Sequence, residues 1–374
     1  MINPKLGLGT FCVMIFAFIF SFRPSQSQAN ATPTPFQAIS HYEKILNIPT
    51  LDSIHSPSSA HVNWSPDREN LAVTYDYSGT IRIVSSDTGA LRFTLETPAQ
   101  AAGYSVGYSQ WSPNGKSFAA AVDRPVQNIL IWDLSGSSVK APLIISQTGE
   151  QPTFSWIRDG KELLSTGFMA QPSNAWWLFR WNVTDGRLVK KIRTDNARKI
   201  FVSYDGRKIA TLTRAQEVHS PYLLQIRDVE TFEIQRIFPD ENDSFDLQSV
   251  VSWNTDNNQL AGASCNSISG TCYLWLWNTQ DNQLRKPFKA VKHQSDGGNT
   301  GPFTILALNP KHNLLAVNDR SEPNYVWNTE TGELISGLDG NASWVSSVSW
   351  SPDGSMLATG TDDGSVIIWK DTSS

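Results

Sequence analysis

Short runs of β-branched and aromatic residues recur along the whole chain and alternate with polar turns. In several runs the apolar side chains return at every second position, which is the period of a strand and not of a helix. The pattern therefore predicts an all-β protein built from short strands. The clearest runs are TIRIV (80–84), ILIWD (129–133), YLWLWN (273–278) and SVIIWK (365–370).

An aromatic residue followed by a polar turn repeats along the chain at intervals of roughly 45 residues, a period typical of propeller blades or helical arrays. Strand composition favours blades, because β-branched and aromatic residues fill the segments between the turns. The repeat predicts seven units, anchored at Trp64, Trp111, Trp156, Tyr204, Trp253, Leu308 and Trp350.

Each unit divides into four short strands, a to d. In the last unit, VSSVSW is strand a, SMLATGT is strand b and SVIIW is strand c, and the turn SPDG joins a to b. Pro at the second and Gly at the fourth position suit a type I turn. Four short strands cannot bury both faces alone, but stacked radially each sheet covers its neighbour. The fold class predicted is a seven-bladed β-propeller of four-stranded antiparallel blades over residues 61–374.

The last unit lacks strand d, so the chain must supply it from elsewhere. EKILNIPTLDSI (43–54) stands at the distance before Trp64 that a preceding strand d should occupy. We predict that this run, within the N-terminal segment 32–60, completes the last blade and closes the ring. The alternative is a disordered leader, because Pro49 is unfavourable in a central strand although an edge strand tolerates it.

The run SPDGSMLATGTDDGSVIIWK (351–370) resembles the WD repeat, and LIWD (130–133) carries the Trp-Asp pair itself. The resemblance to the WD-repeat (WD40) β-propeller family covers nearly the whole chain after residue 60. It implies seven blades and a role as a binding scaffold. Periplasmic propellers of the TolB type have similar SPDGK-like turns and are a competing relative.

The chain departs from the family at the hydrogen-bond network of His, Ser/Thr, Asp and Trp that often ties a blade together. Only His55 has the spacing of the network His, and Asn341 stands there in the last unit. Val84 and Arg227 replace the strand-c Trp of units one and four. The remaining network positions of the last unit match the family: Asp363, Ser365 and Trp369.

The first residues have the pattern of a signal peptide. Lys5 precedes the apolar run LGLGTFCVMIFAFIF, which is too short for a membrane span, and small residues allow cleavage after Ala29 or Ala31. We expect residues 1–31 to be removed from an exported, periplasmic or secreted protein. An uncleaved N-terminal membrane anchor is the alternative.

The charge balance bears on the partner. The whole chain has a net charge of −5, and losing residues 1–31 removes Lys5 and Arg23 and no acid, which leaves −7. Nucleic acids and anionic membrane surfaces attract basic proteins, so the charge argues against both. A protein or peptide partner is expected, and no membrane span in the mature chain.

Two cysteines remain after the leader, Cys265 and Cys272, on either side of the turn NSISGT in unit five. Opposed hairpin residues lie close enough for a disulfide, and in an exported protein the pair should be oxidised. A metal site is the weaker alternative, because no His lies nearby.

The b–c and d–a connections are longer than the a–b and c–d turns. In an up-and-down sheet the longer ones emerge on one face of the ring, here called the loop face; the opposite face is the turn face. Insertions on one face often mark a binding surface. Aromatic and Arg residues are typical anchors, and the candidates are Tyr77, Tyr104, Arg124, Met169, Trp176, His219, Tyr222, Arg320 and Trp344.

Catalytic and metal signals are weak. GYSVG (103–107) lacks the strand–turn–helix context of a nucleophilic Ser105, and DENDSFD (240–246) lacks two key calcium-loop positions. The six histidines show no paired ligand spacing. No cofactor or metal is expected, and the protein is predicted not to be an enzyme. An enzyme site in the central funnel, or carbohydrate binding by Trp176 and Trp177, is the alternative.

Overall fold

A computed structural model gives the structure of the chain. All described residues belong to one compact unit, Ala38–Ser374, whereas the predicted signal peptide 1–31 lies outside them. In some of its strands only the backbone is described. The structure describes Tyr42 to Thr372 except 51–58, 77, 98–105, 123–126, 147–149, 158–159, 171–173, 195, 215–221, 239–246, 254–258, 267–270, 280–283, 293–304, 319–324 and 339–343.

The described residues form seven four-stranded antiparallel sheets and contain no helix. The strands of the first four blades are β2 Ala60–Trp64, β3 Asn70–Tyr75, β4 Thr80–Ser85 and β5 Leu91–Glu96; β6 Val106–Trp111, β7 Ser117–Val122, β8 Asn128–Asp133 and β9 Leu143–Ile145; β10 Glu150–Ile157, β11 Glu162–Met169, β12 Ala175–Asn182 and β13 Leu188–Thr194; β14 Ala197–Val202, β15 Lys208–Arg214, β16 Tyr222–Asp228 and β17 Ile234–Phe238.

The remaining three blades follow the same order, from an inner strand a to an outer strand d. Their strands are β18 Leu247–Trp253, β19 Gln259–Asn266, β20 Thr271–Asn278 and β21 Leu284–Lys292; β22 Ile305–Leu308, β23 Leu314–Asn318, β24 Tyr325–Asn328 and β25 Leu334–Gly337; β26 Val345–Trp350, β27 Met356–Thr361 and β28 Val366–Asp371, with β1 Tyr42–Ile48 as the outer strand. Inner strands of neighbouring blades touch at all seven junctions, so the ring is closed.

The N-terminal strand closes the ring as predicted. β1 pairs antiparallel with β28, and its last residue, Ile48, is buried against the first blade. The strand ends before Pro49, so the missing amide of that residue does not interrupt the pairing. The Tyr42 ring meets Trp350 edge to face, with 6.0 Å between centroids.

The core lies between blades, where the sheets pack face to face. Ile81 and Ile83 of blade one, for example, share a buried cluster with Trp111 and Phe118 of blade two. Complete burial of one such side chain contributes about 1.5–3 kcal/mol. Because each blade covers its neighbour, the hydrophobic core is a series of seven interfaces.

Hydrogen bonds between inner strands join the blades close to the ring axis. The indole Nε1 of Trp111 donates to the carbonyl of Asn63 in the preceding blade (3.1 Å), and Trp350 donates likewise to Ala307 (2.9 Å). Trp156 and Trp253 repeat this bond, at 3.2 and 3.1 Å. The repeated aromatic residue is thus a link between blades as well as a core residue.

These bonds correct the repeat assignment in unit four. The amide of Val202 donates to Ser155 Oγ of the preceding blade (3.3 Å), as the amide of Trp64 does to Ser349 Oγ (3.2 Å). Val202 therefore holds the anchor position, and Tyr204 lies in the following turn, where it is 66% exposed. The prediction of Tyr204 was wrong because both residues are apolar and only their place relative to blade three distinguishes them.

Several a–b turns that the structure describes satisfy their own polar groups. In the last blade, Ser351 Oγ donates to Asp353 Oδ1 (2.6 Å), and the same oxygen accepts from the amide of Ser355 (3.1 Å). Gly354 has a φ of 74°, and an added Cβ would lie 2.4 Å from Asn309 Oδ1 of the neighbouring blade. The SPDG sequence therefore meets both a conformational and a packing demand.

Candidate binding face

The two faces of the ring differ in their connections. On the turn face the a–b turns have four or five residues and the c–d turns five, except for the nine residues 134–142. That exception differs from the uniformly tight c–d turns expected. On the loop face the connections run from two residues (195–196) to twelve (293–304). Connection length thus varies most on the loop face, as the sequence predicted.

Most of the predicted anchor residues cannot be placed at the level of side chains. Tyr222 begins β16 at the loop face, but only its backbone is described. Met169, Trp176 and Trp344 are described with their side chains. Five further candidates lie outside the described residues: Tyr77, Tyr104, Arg124, His219 and Arg320.

Trp344 stands directly before the inner strand of the last blade, at the loop face. Its carbonyl accepts a hydrogen bond from the amide of Asp362 (2.8 Å), which holds the backbone against the b–c turn. Its side chain is 64% exposed. A large apolar ring on a tethered backbone has the character of an interface anchor.

Met169 ends strand b of blade three and is half-buried. It packs against the cluster between blades two and three, together with Tyr108 and Trp177. Much of this side chain is therefore engaged in the fold.

Trp176 and Trp177 point to opposite sides of blade three, as successive strand residues must. Trp177 packs toward blade two, with Lys191 Nζ 5.1 Å from its ring centroid. Trp176 lies toward blade four, with Arg198 Cζ 5.7 Å from its ring centroid and the Phe168 ring 5.8 Å away. The two indoles cannot form one flat platform for a sugar.

Arg198 is a loop-face residue that the sequence reading missed. It belongs to the inner strand of blade four and is half-buried. Its Nε donates to Asn196 Oδ1 (3.3 Å), and its carbonyl accepts from Thr153 Oγ1 of blade three (3.2 Å). The next residue, Lys199, has its pKa lowered by burial. The sequence does contain a signal for this residue, because the basic run ARK (197–199) follows an unusually short connection.

The cysteine pair is described through its backbone. Cys265 and Cys272 stand directly opposite each other on β19 and β20. Opposed residues of antiparallel strands have Cα atoms about 4.5–5.5 Å apart, within the range that a disulfide spans. The register satisfies the backbone requirement, and the bond itself stays a prediction.

No group of three or more His, Cys, Asp or Glu side chains within the described ranges could hold a metal ion. Both Ser105 and the calcium-like segment 240–246 lie outside those ranges. In the same part of the chain, no helix is long and apolar enough to cross a membrane.

The strand-c tryptophans retain part of the hydrogen-bond pattern expected from the sequence resemblance. Trp369 Nε1 donates to Thr359 Oγ1 (3.0 Å), and Trp181 Nε1 donates to Ser165 Oγ (2.9 Å), both buried. In the last blade Asp363 accepts from Ser365 Oγ (2.7 Å) within the b–c turn. Trp369 therefore bonds to strand b, and Ser365 supports the turn.

The family model "WD domain, G-beta repeat" matches residues 332–370, the segment that carries this pattern. Residues 332–370 are thus a WD repeat, and they belong to a seven-bladed β-propeller. The chain is 22% identical over 326 residues to the "WD repeat-containing protein WDS homolog" of Arabidopsis thaliana, covering 86% of this chain and 48% of that protein. It is 26% identical over 268 residues to the Arabidopsis "WD repeat-containing protein 26 homolog", covering 69% and 40%. The WD-repeat chain thus spans about half the length of these curated relatives.

Proposed function

We propose that this WD-repeat propeller is a non-catalytic scaffold that binds a protein or peptide through its loop face, outside the cytoplasm. The observation that carries the proposal is the contrast between the two faces. On the turn face the turns are nearly uniform in length. On the loop face the connections vary from two to twelve residues. Loops held on a rigid scaffold are the usual place for binding residues.

Two tryptophans on the loop face support the same proposal. Trp344 is 64% exposed in blade seven, and Trp176 stands beside Arg198 at the junction of blades three and four. These sites lie across the ring from each other, so a partner that touched both would span the funnel mouth. Family membership adds weight, because WD-repeat propellers commonly bind proteins.

Location outside the cytoplasm rests on the leader pattern of residues 1–31 and is consistent with the opposed cysteines. The test is N-terminal sequencing of the protein recovered from fractionated cells. We expect a mature N-terminus after Ala29 or Ala31 in the extracytoplasmic fraction. Recovery of the full-length chain from the cytoplasm would refute this part of the proposal.

The role of the loop face is tested by comparing an exposed aromatic residue on that face with one on the turn face, which is the control. Trp344 on the loop face and Tyr204 on the turn face are 64% and 66% exposed, so their replacement by Ala removes similar exposed surface. Immobilised wild type, Trp344→Ala, Trp176→Ala and Tyr204→Ala are compared for proteins retained from the native extracytoplasmic fraction, with quantitative mass spectrometry. We expect the loop-face variants to lose a partner that Tyr204→Ala retains. The reverse pattern would contradict the proposal.

A further inference from the structure

Arg198 differs from the other half-buried or buried arginines of its junction. Arg180, in the same junction between blades three and four, is paired with both Glu162 and Glu230 at 2.7 Å. Arg227, buried in blade four, donates to the Phe232 carbonyl and to Gln225. Nη1 and Nη2 of Arg198 form no hydrogen bond or ion pair with any residue that the structure describes. The junction thus holds one guanidinium whose terminal donors remain available.

The position of that guanidinium is fixed from several sides. Its Cζ lies 5.7 Å from the centroid of the Trp176 ring, which also contacts the Phe168 ring. Nε is engaged by Asn196, and the backbone is held by Thr153, whose hydroxyl also bonds Thr166 (2.8 Å). With Nε bonded to Asn196, the terminal N–H groups on Nη1 and Nη2 are left to donate to a ligand. Little side-chain freedom would be lost when a ligand binds this edge.

The connection beside Arg198 is the shortest on the loop face. Only residues 195–196 link β13 to β14, whereas neighbouring connections on the loop face have four to eight residues. A two-residue link cannot fold over the strand ends, so this link does not cover the Trp176–Arg198 pair.

We propose that Arg198, seated on Trp176, pairs with a carboxylate of an acidic peptide segment docked on the loop face. The inference rests on the proposed scaffold function and specifies its partner chemistry. A carboxylate fits because its two oxygens match two parallel N–H groups of a guanidinium edge. The Trp176 and Phe168 rings beside it would contact the adjoining apolar part of the peptide. Because the whole chain is acidic, general attraction of anions is not expected, and recognition must be local.

The test is a selection of short random peptides displayed on phage against the immobilised full chain. Asp or Glu is expected at a fixed position in the enriched peptides. A synthesised peptide should bind Arg198→Gln about tenfold or more weakly than wild type. Arg193→Gln, which removes the same charge from the other side of blade three, is the matched control and should bind as wild type does. Unchanged thermal melting of both variants establishes that they are folded.

A double-mutant cycle makes the assignment specific. Replacing the peptide's Asp by Asn should weaken binding to wild type but not further weaken binding to Arg198→Gln. Arg198→Glu should instead prefer the peptide with Lys at that position. Peptides that bind equally to wild type and Arg198→Gln, or an equal loss in Arg193→Gln, would overturn this inference alone. Failure to enrich any peptide on the wild type would count against the scaffold function as well.

Discussion

Tyr42 and Asp371 stand directly opposite each other in the antiparallel pair that joins the first described strand to the last. The two ends of the fold therefore meet within one blade. This blade packs against blade one through the contact of β26 and β27 with β2. Ring closure depends on a strand supplied from the other end of the chain, which makes the N-terminal strand part of the structural unit.

Ring closure is tested by two isoleucines of the same strand. Ile48 is 3% exposed and packs against blade one, whereas Ile45 is 50% exposed. Ile48→Asp should lower the free energy of unfolding by more than about 3 kcal/mol, since it buries an unpaired charge. Ile45→Asp should change it by less than about 0.5 kcal/mol. Urea unfolding measures both, and equal midpoints would show that the strand does not close the ring.

Phe232 occupies a backbone position that other blades give to glycine. Its φ is 67°, and Gly89 and Gly332 have 72° at the same place in their c–d turns. The Phe232 ring is 2% exposed, with Lys190 Nζ 4.8 Å from its centroid. Burial of the ring offsets the cost of the left-handed conformation, about 1–2 kcal/mol for a residue with a Cβ.

At this position Gly should be more stabilising than Ala, the reverse of the usual order. Phe232→Ala loses the buried ring, at about 3–5 kcal/mol, and retains the backbone strain. Phe232→Gly loses the ring but relieves the strain, so it should be about 1 kcal/mol more stable than Phe232→Ala. Guanidinium unfolding curves decide the order. A more stable Phe232→Ala would show that the left-handed backbone conformation is not strained at this position.

The Arg180 cluster links blades three and four through a buried charge. Arg180 and Glu162 have side chains only 8% and 16% exposed, so Arg180→Met should destabilise by about 3–5 kcal/mol because it removes the cation of a buried ion pair. Adding Glu162→Met should recover part of that loss. The control is Arg68→Met at the junction of blades seven and one, whose pair with Asp353 is more than 40% exposed on both sides. That change should cost less than about 1 kcal/mol, and an equal cost at both junctions would contradict the argument.

Cys265 and Cys272 should form a disulfide in the mature protein. Their opposed positions on β19 and β20 allow it without moving the backbone. Intact mass measured without reductant should be two hydrogens lower than after reduction, and the bond should contribute about 2–3 kcal/mol. The double variant Cys265→Ser and Cys272→Ser should melt at a lower temperature than the oxidised wild type. Two free thiols in freshly isolated mature protein would refute the bond.

Local signals were enough to predict most of the architecture. Alternating apolar positions predict strands, SPDG and related sequences predict their turns, and the spacing of Trp64, Trp111 and later anchors predicts seven blades. Strands and turns depend on interactions within a few residues, and the repeat interval can be counted along the chain, so all three can be read from a single sequence. The N-terminal strand was also predictable, because only the last unit lacked an outer strand.

Other features depend on contacts between blades and were therefore not visible in the sequence. Val202 and Tyr204 are both plausible anchors until the Ser155 hydroxyl of blade three identifies Val202. Trp176 and Arg198 lie in adjacent blades, and only the packing of these blades places one over the other. The sequence by itself determined the strands, the turns and the number of blades, because those follow from local periodicity and backbone preferences. The tertiary structure alone decided which side chains meet across the junctions, because those contacts form only when neighbouring blades pack against each other.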